Sequence, residues 1–118
     1  MAIEFSIEDR PVGGAHVVAV SGEVDLFTAP EFKQRVMAPI AAGVDNVIVD
    51  LMETTFIDSS SLGVLIGAHR RLKSRGGSLI VACDDEAIVK TFRITGLDGV
   101  FTLASSVEQA LSDDTTAA

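Results

Sequence analysis

The sequence predicts an α/β domain: a mixed, mostly parallel sheet with an antiparallel N-terminal edge and about four helices. Three observations carry that expectation. After the first two strands, strand-like and helix-like segments alternate, which calls for right-handed parallel crossovers. The first two strands are joined by a turn short enough for a hairpin. Asn46 to Leu51, NVIVDL, is a nearly continuous apolar run, the pattern of a strand covered on both faces.

Ile3 to Glu8 alternates with period two, as a half-buried strand does. Pro11 to Gly14 read as a turn, and His16 to Ser21, HVVAVS, as a second and more buried strand. Gly22-Glu23-Val24-Asp25 then leaves the sheet. Thr28 serves as N-cap of a helix, with Pro30 near its first position and Glu31 in its first turn. That helix presents Phe32, Val36 and Ile40 at four-residue spacing; Pro39 is expected to kink or shorten it and Gly43 to end it. After the NVIVDL strand a second helix runs from about Ser60 to Ser74 and stops at Gly76-Gly77. Ser78 to Cys83, SLIVAC, is another buried strand. Asp84-Asp85-Glu86 crowds acid into the first turn of a third helix carrying Ile88, Val89, Phe92 and Ile94, closed at Gly96. A short strand around Val100 to Leu103 leads to a cap at Ser105 or Ser106 and a last helix through Val107 and Leu111. No internal repeat is present. One domain is expected over residues 1–112, with 113–118 a disordered polar tail.

With 118 residues, 47% hydrophobic and 22% charged, the chain can bury roughly two thirds of its unfolded surface. Nine basic against seventeen acidic residues leave a net charge of −8. Nucleic acid and anionic membranes demand clustered Lys and Arg, so neither is an expected partner. The basic cluster Arg70-Arg71-Lys73-Arg75 falls at the end of the second helix, where it complements the helix dipole. Cys83 is alone and apolar-flanked, and reads as a small core residue in a reducing, cytoplasmic setting. No apolar run reaches the length of a membrane span, and the start lacks the pattern of a secretory signal.

The segment Phe56-Ile57-Asp58-Ser59-Ser60-Ser61-Leu62-Gly63-Val64-Leu65-Ile66-Gly67 says most about function. It sets three hydroxyls behind a carboxylate where an apolar strand gives way to an amphipathic helix. The unpaired N–H groups and partial positive charge of a helix start favour a phosphate, which makes Ser59 a candidate for reversible phosphorylation. The plainer reading is that Asp58 or Ser59 caps the helix and that Ser60 and Ser61 are ordinary first-turn residues. The residues alone leave both open. Gly63 and Gly67 also admit two readings. They allow close packing on the sheet, the commoner role of such a pair, or with Ser60 and Val64 they form a flat exposed strip for a partner's backbone.

Catalysis is disfavoured. A nucleophile elbow needs glycines two residues either side of the serine, and neither Ser59 nor Ser61 has both. His69 stands about 15 Å along the helix from Ser59, beyond hydrogen-bond reach, and His16 belongs to a strand. The two histidines, Cys83 and the acidic triplet lack metal-ligand spacing, and no phosphate-binding loop or dinucleotide fingerprint is present. No metal or cofactor is expected, and a nucleotide-binding or hydrolytic enzyme is the least favoured reading.

FIDSSSLGVLIG resembles the signature of bacterial anti-sigma factor antagonists within the STAS (sulfate transporter and anti-sigma antagonist) family, an apolar residue followed by Asp-Ser-Ser/Thr-Gly-Leu-Gly-Val-Leu. Gly22-Glu23-Val24-Asp25 with Thr28-Ala29 is similar to the family's Gly-Glu-Leu-Asp loop. The GGSLIVAC strand and the helix end from Val89-Lys90-Thr91-Phe92 to Thr95-Gly96-Leu97 also match, and the resemblance runs in order from Ile3 to Leu111. It implies a single STAS-type domain and a non-catalytic role in a partner-switching module that governs a sigma factor, as in stress response or sporulation. By that resemblance the unphosphorylated antagonist binds an anti-sigma factor that is also a serine kinase, and the sigma factor is released. The kinase phosphorylates the serine after the motif Asp, here Ser59 with Ser60 and Ser61 as alternates, and binding is lost. A PP2C-type phosphatase restores it. Asp25 and Asp58 fall at the family's acidic positions and, with Ser60, Gly63, Val64 and Gly67, make the expected partner surface. A monomer is the family expectation. The motif's usual Gly is Ser61 here, whose expected cost is to partner approach rather than to fold. A scaffold subunit of a stress-sensing complex or a lipid-transport accessory protein would share the fold.

Overall fold

A computed structural model describes residues 4–117, with side chains as far as Ser112. Ile3, the expected start of the first strand, and Ala118 lie outside the described residues. The first strand, β1 (Ser6–Val12), turns at Gly13-Gly14 into β2 (Ala15–Val24), and the two pair antiparallel with Val12 opposite Ala15. Gly13 takes φ 59°, the positive value that tight hairpin turns require. The turn is thus shorter than the Pro11–Gly14 expected. Pro11 stays in β1, on the edge of the sheet, where a missing N–H is tolerated.

Ala29–Ala41 form α1, Asn46–Ile57 β3, Ser59–Lys73 α2, Ser78–Ala82 β4 and Glu86–Ile94 α3. A 3-10 turn at Leu97–Gly99 precedes β5 (Thr102–Ala104) and α4 (Val107–Ala117). The backbone of α4 runs past Ser112, through the segment expected as a tail. Ser106 is the capping serine, its Oγ accepting from the N–H of Gln109 at 3.0 Å. Pro39 does not cut α1 short; it is buried in the last turn, and the helix closes at Ala41 with Gly43 at φ 101°.

The strand order is β1-β2-β3-β4-β5, and every pair after the first is parallel. Each crossover steps the same way across the sheet, so right-handed connections put α1, α2 and α3 on one face. The fourth helix follows the last strand and covers the other. Burial alternates accordingly. Val18 and Val20, Val49 and Leu51, and Leu79 and Val81 pack with Phe32, Val36, Leu65, Leu72, Ile88 and Phe92 of the three helices. Their neighbours Val17, Ile48 and Ile80 pack under Ala110 of α4. NVIVDL is therefore covered on both faces, as expected. Among the described residues no helix is long and apolar enough to cross a membrane.

The last turn of α1 holds no basic residue of its own. Arg75 supplies the charge from the loop after α2. Its guanidinium donates to the carbonyls of Ile40, at 2.7 Å, and Val44, and its Nε to Asp45 Oδ1 at 3.0 Å. Only Arg70, Arg71 and Lys73 of the basic cluster remain in the last turn of α2. Beside this clamp the chain passes so near itself that a Cβ on Gly77 would sit 2.1 Å from the carbonyl oxygen of Asp45. Gly77→Ala is expected to lower stability by about 1–3 kcal/mol or more in chemical denaturation, as overpacking does. Gly67→Ala, where a Cβ would meet nothing within 4 Å, is expected to raise it by up to about 1 kcal/mol, the difference in helix propensity.

Candidate functional site

In the parallel register of β2 on β3, Val24 stands opposite Ile57, so the two strands end together and Asp25 and Asp58 follow them side by side. The chain leaves both strands by the same device. Asp58, extended at φ −126° and ψ −174°, is the N-cap of α2, and its Oδ1 accepts from the N–H groups of Ser60 (2.9 Å) and Ser61 (3.3 Å). Ser61 Oγ answers by accepting from the N–H of Asp58 at 3.0 Å and donating to its carbonyl at 2.7 Å. This is a capping box with serine in the usual Glu place. Asp25 Oδ1 likewise accepts from the N–H groups of Phe27 (2.9 Å) and Thr28 (3.0 Å), and Thr28 Oγ1 accepts from the N–H of Asp25 at 2.9 Å. Thr28 does hold the N-cap position of α1, but its hydroxyl turns back to this loop rather than forward into the helix.

These boxes decide which side chains reach solvent. Ser61 is only 1% exposed, and its hydroxyl is engaged both as donor and as acceptor. Ser59, the first residue of α2, is exposed, and its hydroxyl takes no part in the cap; Ser60 is half-buried. In the neighbouring loop the two positions after Asp25 carry Leu26 and Phe27, 67% and 89% exposed. Phe56, near the end of β3, is 47% exposed. Sequence reasoning passes over these three. Their signal is two large apolar residues inside a turn held by Asp25 and Thr28, followed by a third where β3 runs past its apolar stretch.

Beyond Ser60 the outer face of α2 continues through Gly63, Val64 and Gly67. Lys33 and Met37 of α1 stand across from it, and the six residues line a groove of about 320 Å³. A Cβ at Gly63 or Gly67 would meet nothing within 4 Å. Close packing on the sheet, the commoner role of such glycines, is therefore not theirs; they are exposed and leave the strip open. A larger hollow of about 490 Å³ lies along α3, lined by residues of both charges and of none of the serine motif.

The two histidines lie elsewhere. His16 Nε2 lies 2.7 Å from Asp9 Oδ2, and Arg35 donates to Asp9 Oδ1 at 2.8 Å. These bonds, His16's first, hold the Asp9 carboxyl below its ordinary range. His16 faces the start of β3 and Ser59 follows its end, so the whole strand separates them. His69 sets its ring edge-on to Phe101 at 5.6 Å, and burial, then Lys73, push its pKa down. Neither imidazole serves as a base for Ser59. Among the described residues no three His, Cys, Asp or Glu gather as metal ligands. Cys83 is buried, and burial with Asp84 and Asp85 pushes its thiol up to about 11.

Ser61→Ala removes the return half of the capping box and is expected to lower stability by about 1 kcal/mol in denaturant titration, while leaving Ser59 exposed. Cys83 is expected to react with a thiol reagent at pH 8 about a hundredfold more slowly in the native protein than in urea, from its smaller thiolate fraction. The unfolded thiol ionises near pH 9.0 and the folded one near 11, so stability is expected to fall as pH rises through that window.

A model of the STAS domain family matches residues 6–110. The anti-sigma-B factor antagonist of Listeria monocytogenes is 31% identical over 102 residues, 85% of this chain and 87% of that protein. The anti-sigma-B factor antagonist of Bacillus subtilis is 30% identical over 91 residues, 77% of this chain and 83% of that one. A crystal structure of an anti-sigma factor antagonist from Mycobacterium paratuberculosis superposes with a TM-score of 0.83 at 31% identity, covering 97% of this chain and 95% of that one. The family match takes in both capped loops and the strand order that sets them together, and the chain belongs to the STAS domain family.

Proposed function

We propose that the chain is an anti-sigma factor antagonist in a partner-switching module, acting as a cytoplasmic monomer. Unphosphorylated, it binds an anti-sigma factor that is also a serine kinase and so frees the sigma factor. Phosphorylation of Ser59 ends the binding, and a PP2C-type phosphatase restores it. The observation that carries this reading is the exposed Ser59 hydroxyl, at a helix N-terminus whose cap is made by Asp58 and Ser61 without it. The engagement of Ser61 on both sides favours Ser59 over it as acceptor, and the half-buried Ser60 is the nearer alternate. Asp25 and Asp58 shape the loops around the acceptor. Leu26, Phe27 and Phe56 give the covering partner apolar surface beside it.

The physics of the switch follows from the position. A dianion at the start of a helix gains about 0.3–2 kcal/mol from the dipole and free N–H groups, so the fold survives modification. An interface fitted to a neutral hydroxyl does not tolerate it. Covering an unpaired charge costs several kcal/mol, and even about 3 kcal/mol lowers affinity about a hundredfold. Phosphate thus blocks binding without unfolding the domain.

The test is affinity capture from an extract of the source cell on wild-type, Ser59→Ala and Ser59→Asp baits. An ATP-dependent kinase held by wild type and Ser59→Ala, and absent from Ser59→Asp, is the expected result. The Ser59-phosphorylated protein is expected to melt within a few degrees of the free one. Identical proteins on all three baits, or full phosphorylation of Ser59→Ala, would remove Ser59 from its role.

A further inference from the structure

We propose that the groove between α1 and α2 is a second anchor for that same partner. It receives a helix that sets an aspartate or glutamate against Lys33 and packs its backbone on Gly63, Val64 and Gly67. This rests on the partner-switching reading, which supplies the partner, and adds which part of it enters and what selects it.

The space comes first. Gly63 and Gly67 stand one helical turn apart on the exposed face of α2, and the positions a Cβ would fill are empty for 4 Å around. Glycine is the poorest helix former after proline, so α2 carries two destabilising residues for which the isolated domain offers no packing reason. What they provide is a bare backbone that another backbone can approach. The occupant's form follows from the walls. Both are helices, whose backbone groups are already bonded along their own axes, so an extended segment finds no ladder to join. A helix packing by side chains, brought near by the missing Cβ atoms, is the element these walls accept.

Charge gives the occupant its chemistry. In a chain of net charge −8 this groove holds one cation and no carboxylate. On α1 the positions three and four from Lys33 are Ala29, Pro30, Val36 and Met37, none of them acidic. From Ser59 to Lys73, α2 contains no Asp or Glu, and Arg70 and Arg71 follow Gly67 at three- and four-residue spacing. Among the described residues Lys33 makes no ion pair. A partner carboxylate meets it with no competitor, whereas a partner Lys or Arg is repelled, so the groove discriminates between kinases that would cover Ser59 equally well. Ser60 lines the groove directly beside Ser59, so a partner over the acceptor reaches the groove without a gap.

The test uses the kinase captured on the wild-type bait, purified, and equilibrium binding of Lys33→Glu, Lys33→Gln, Gly67→Leu and Lys90→Glu. Lys90→Glu makes the same charge change on α3, away from the groove. Lys33→Glu and Gly67→Leu are expected to weaken binding at least tenfold with melting temperatures no lower than wild type. Lys33→Gln is expected to fall between, and Lys90→Glu to stay within twofold. Changing the kinase's groove-facing carboxylate to lysine is expected to restore Lys33→Glu and weaken wild type. Wild-type affinity for Lys33→Glu and Gly67→Leu, with Ser59→Asp still released, would overturn the groove proposal and leave the switch standing. Failure of wild type to capture any kinase would overturn both.

Discussion

Val24 opposite Ile57, at the far end of the parallel β2–β3 ladder, sets the geometry on which the rest depends. β4 pairs β3 only from Asn46 to Asp50, so the stretch from Leu51 to Ile57 is held in the sheet by β2 alone. That overhang carries its own supports. The register shifts between Ala19 and Ser21 and again between Gly22 and Glu23. Beside the first shift the buried Thr54 hydroxyl donates to the carbonyl of Val20 at 2.9 Å, and the N–H of Met52 finds Asp50 Oδ1 at 2.9 Å. A slip of one residue would exchange the two faces of β3 and send Leu51 and Ile57 away from the core. It would also part Asp25 from Asp58, so the register that buries the strand is the one that assembles the site.

Two loops built by one chemical pattern then take different duties. Asp-x-x-Thr and Asp-x-x-Ser each spend an aspartate on backbone N–H groups and a hydroxyl on the return bond. The side chains of the two residues between take no part in these bonds. In one loop they are Leu26 and Phe27, in the other Ser59 and Ser60. This division is why a modification at Ser59 is compatible with the fold: the cap is made by its neighbours. Ser61, at the position where the resembling signature has glycine, deepens the division, since it adds a buried bond on each side of Asp58 that glycine has no hydroxyl to make.

The order of strands and helices was legible because each apolar period is local, and NVIVDL and SLIVAC announce doubly covered strands unaided. The ends were not. Glu53 to Phe56 lacks an apolar run and becomes strand only because β2, thirty residues earlier, offers a ladder. Pro11 reads as a turn until the sheet places it on an edge. Arg75 reads as the end of α2 until α1 turns out to need a cation for its last carbonyls. At the site, the spacing Asp58 to Ser61 was visible, but which hydroxyl faces inward depends on helix phase and on the core beneath it. Gly63 and Gly67 admit two readings for the same reason: whether a small residue is small for a neighbour inside the molecule or outside it is a fact about three dimensions.

Exposed apolar side chains by themselves mean little on a small domain, and Ile94 and Val100 elsewhere on this one require no partner. The end of the sheet that carries Ser59 differs in kind. There a rigid turn exposes Phe27 almost completely, β3 ends with Phe56 uncovered, and α2 keeps two glycines where alanine would fit and stabilise it. Each of these opposes the stability of the isolated domain, and the turn that exposes Phe27 is held by the hydrogen bonds of Asp25 and Thr28. Such features, gathered beside Ser59, are what the proposed partner surface requires.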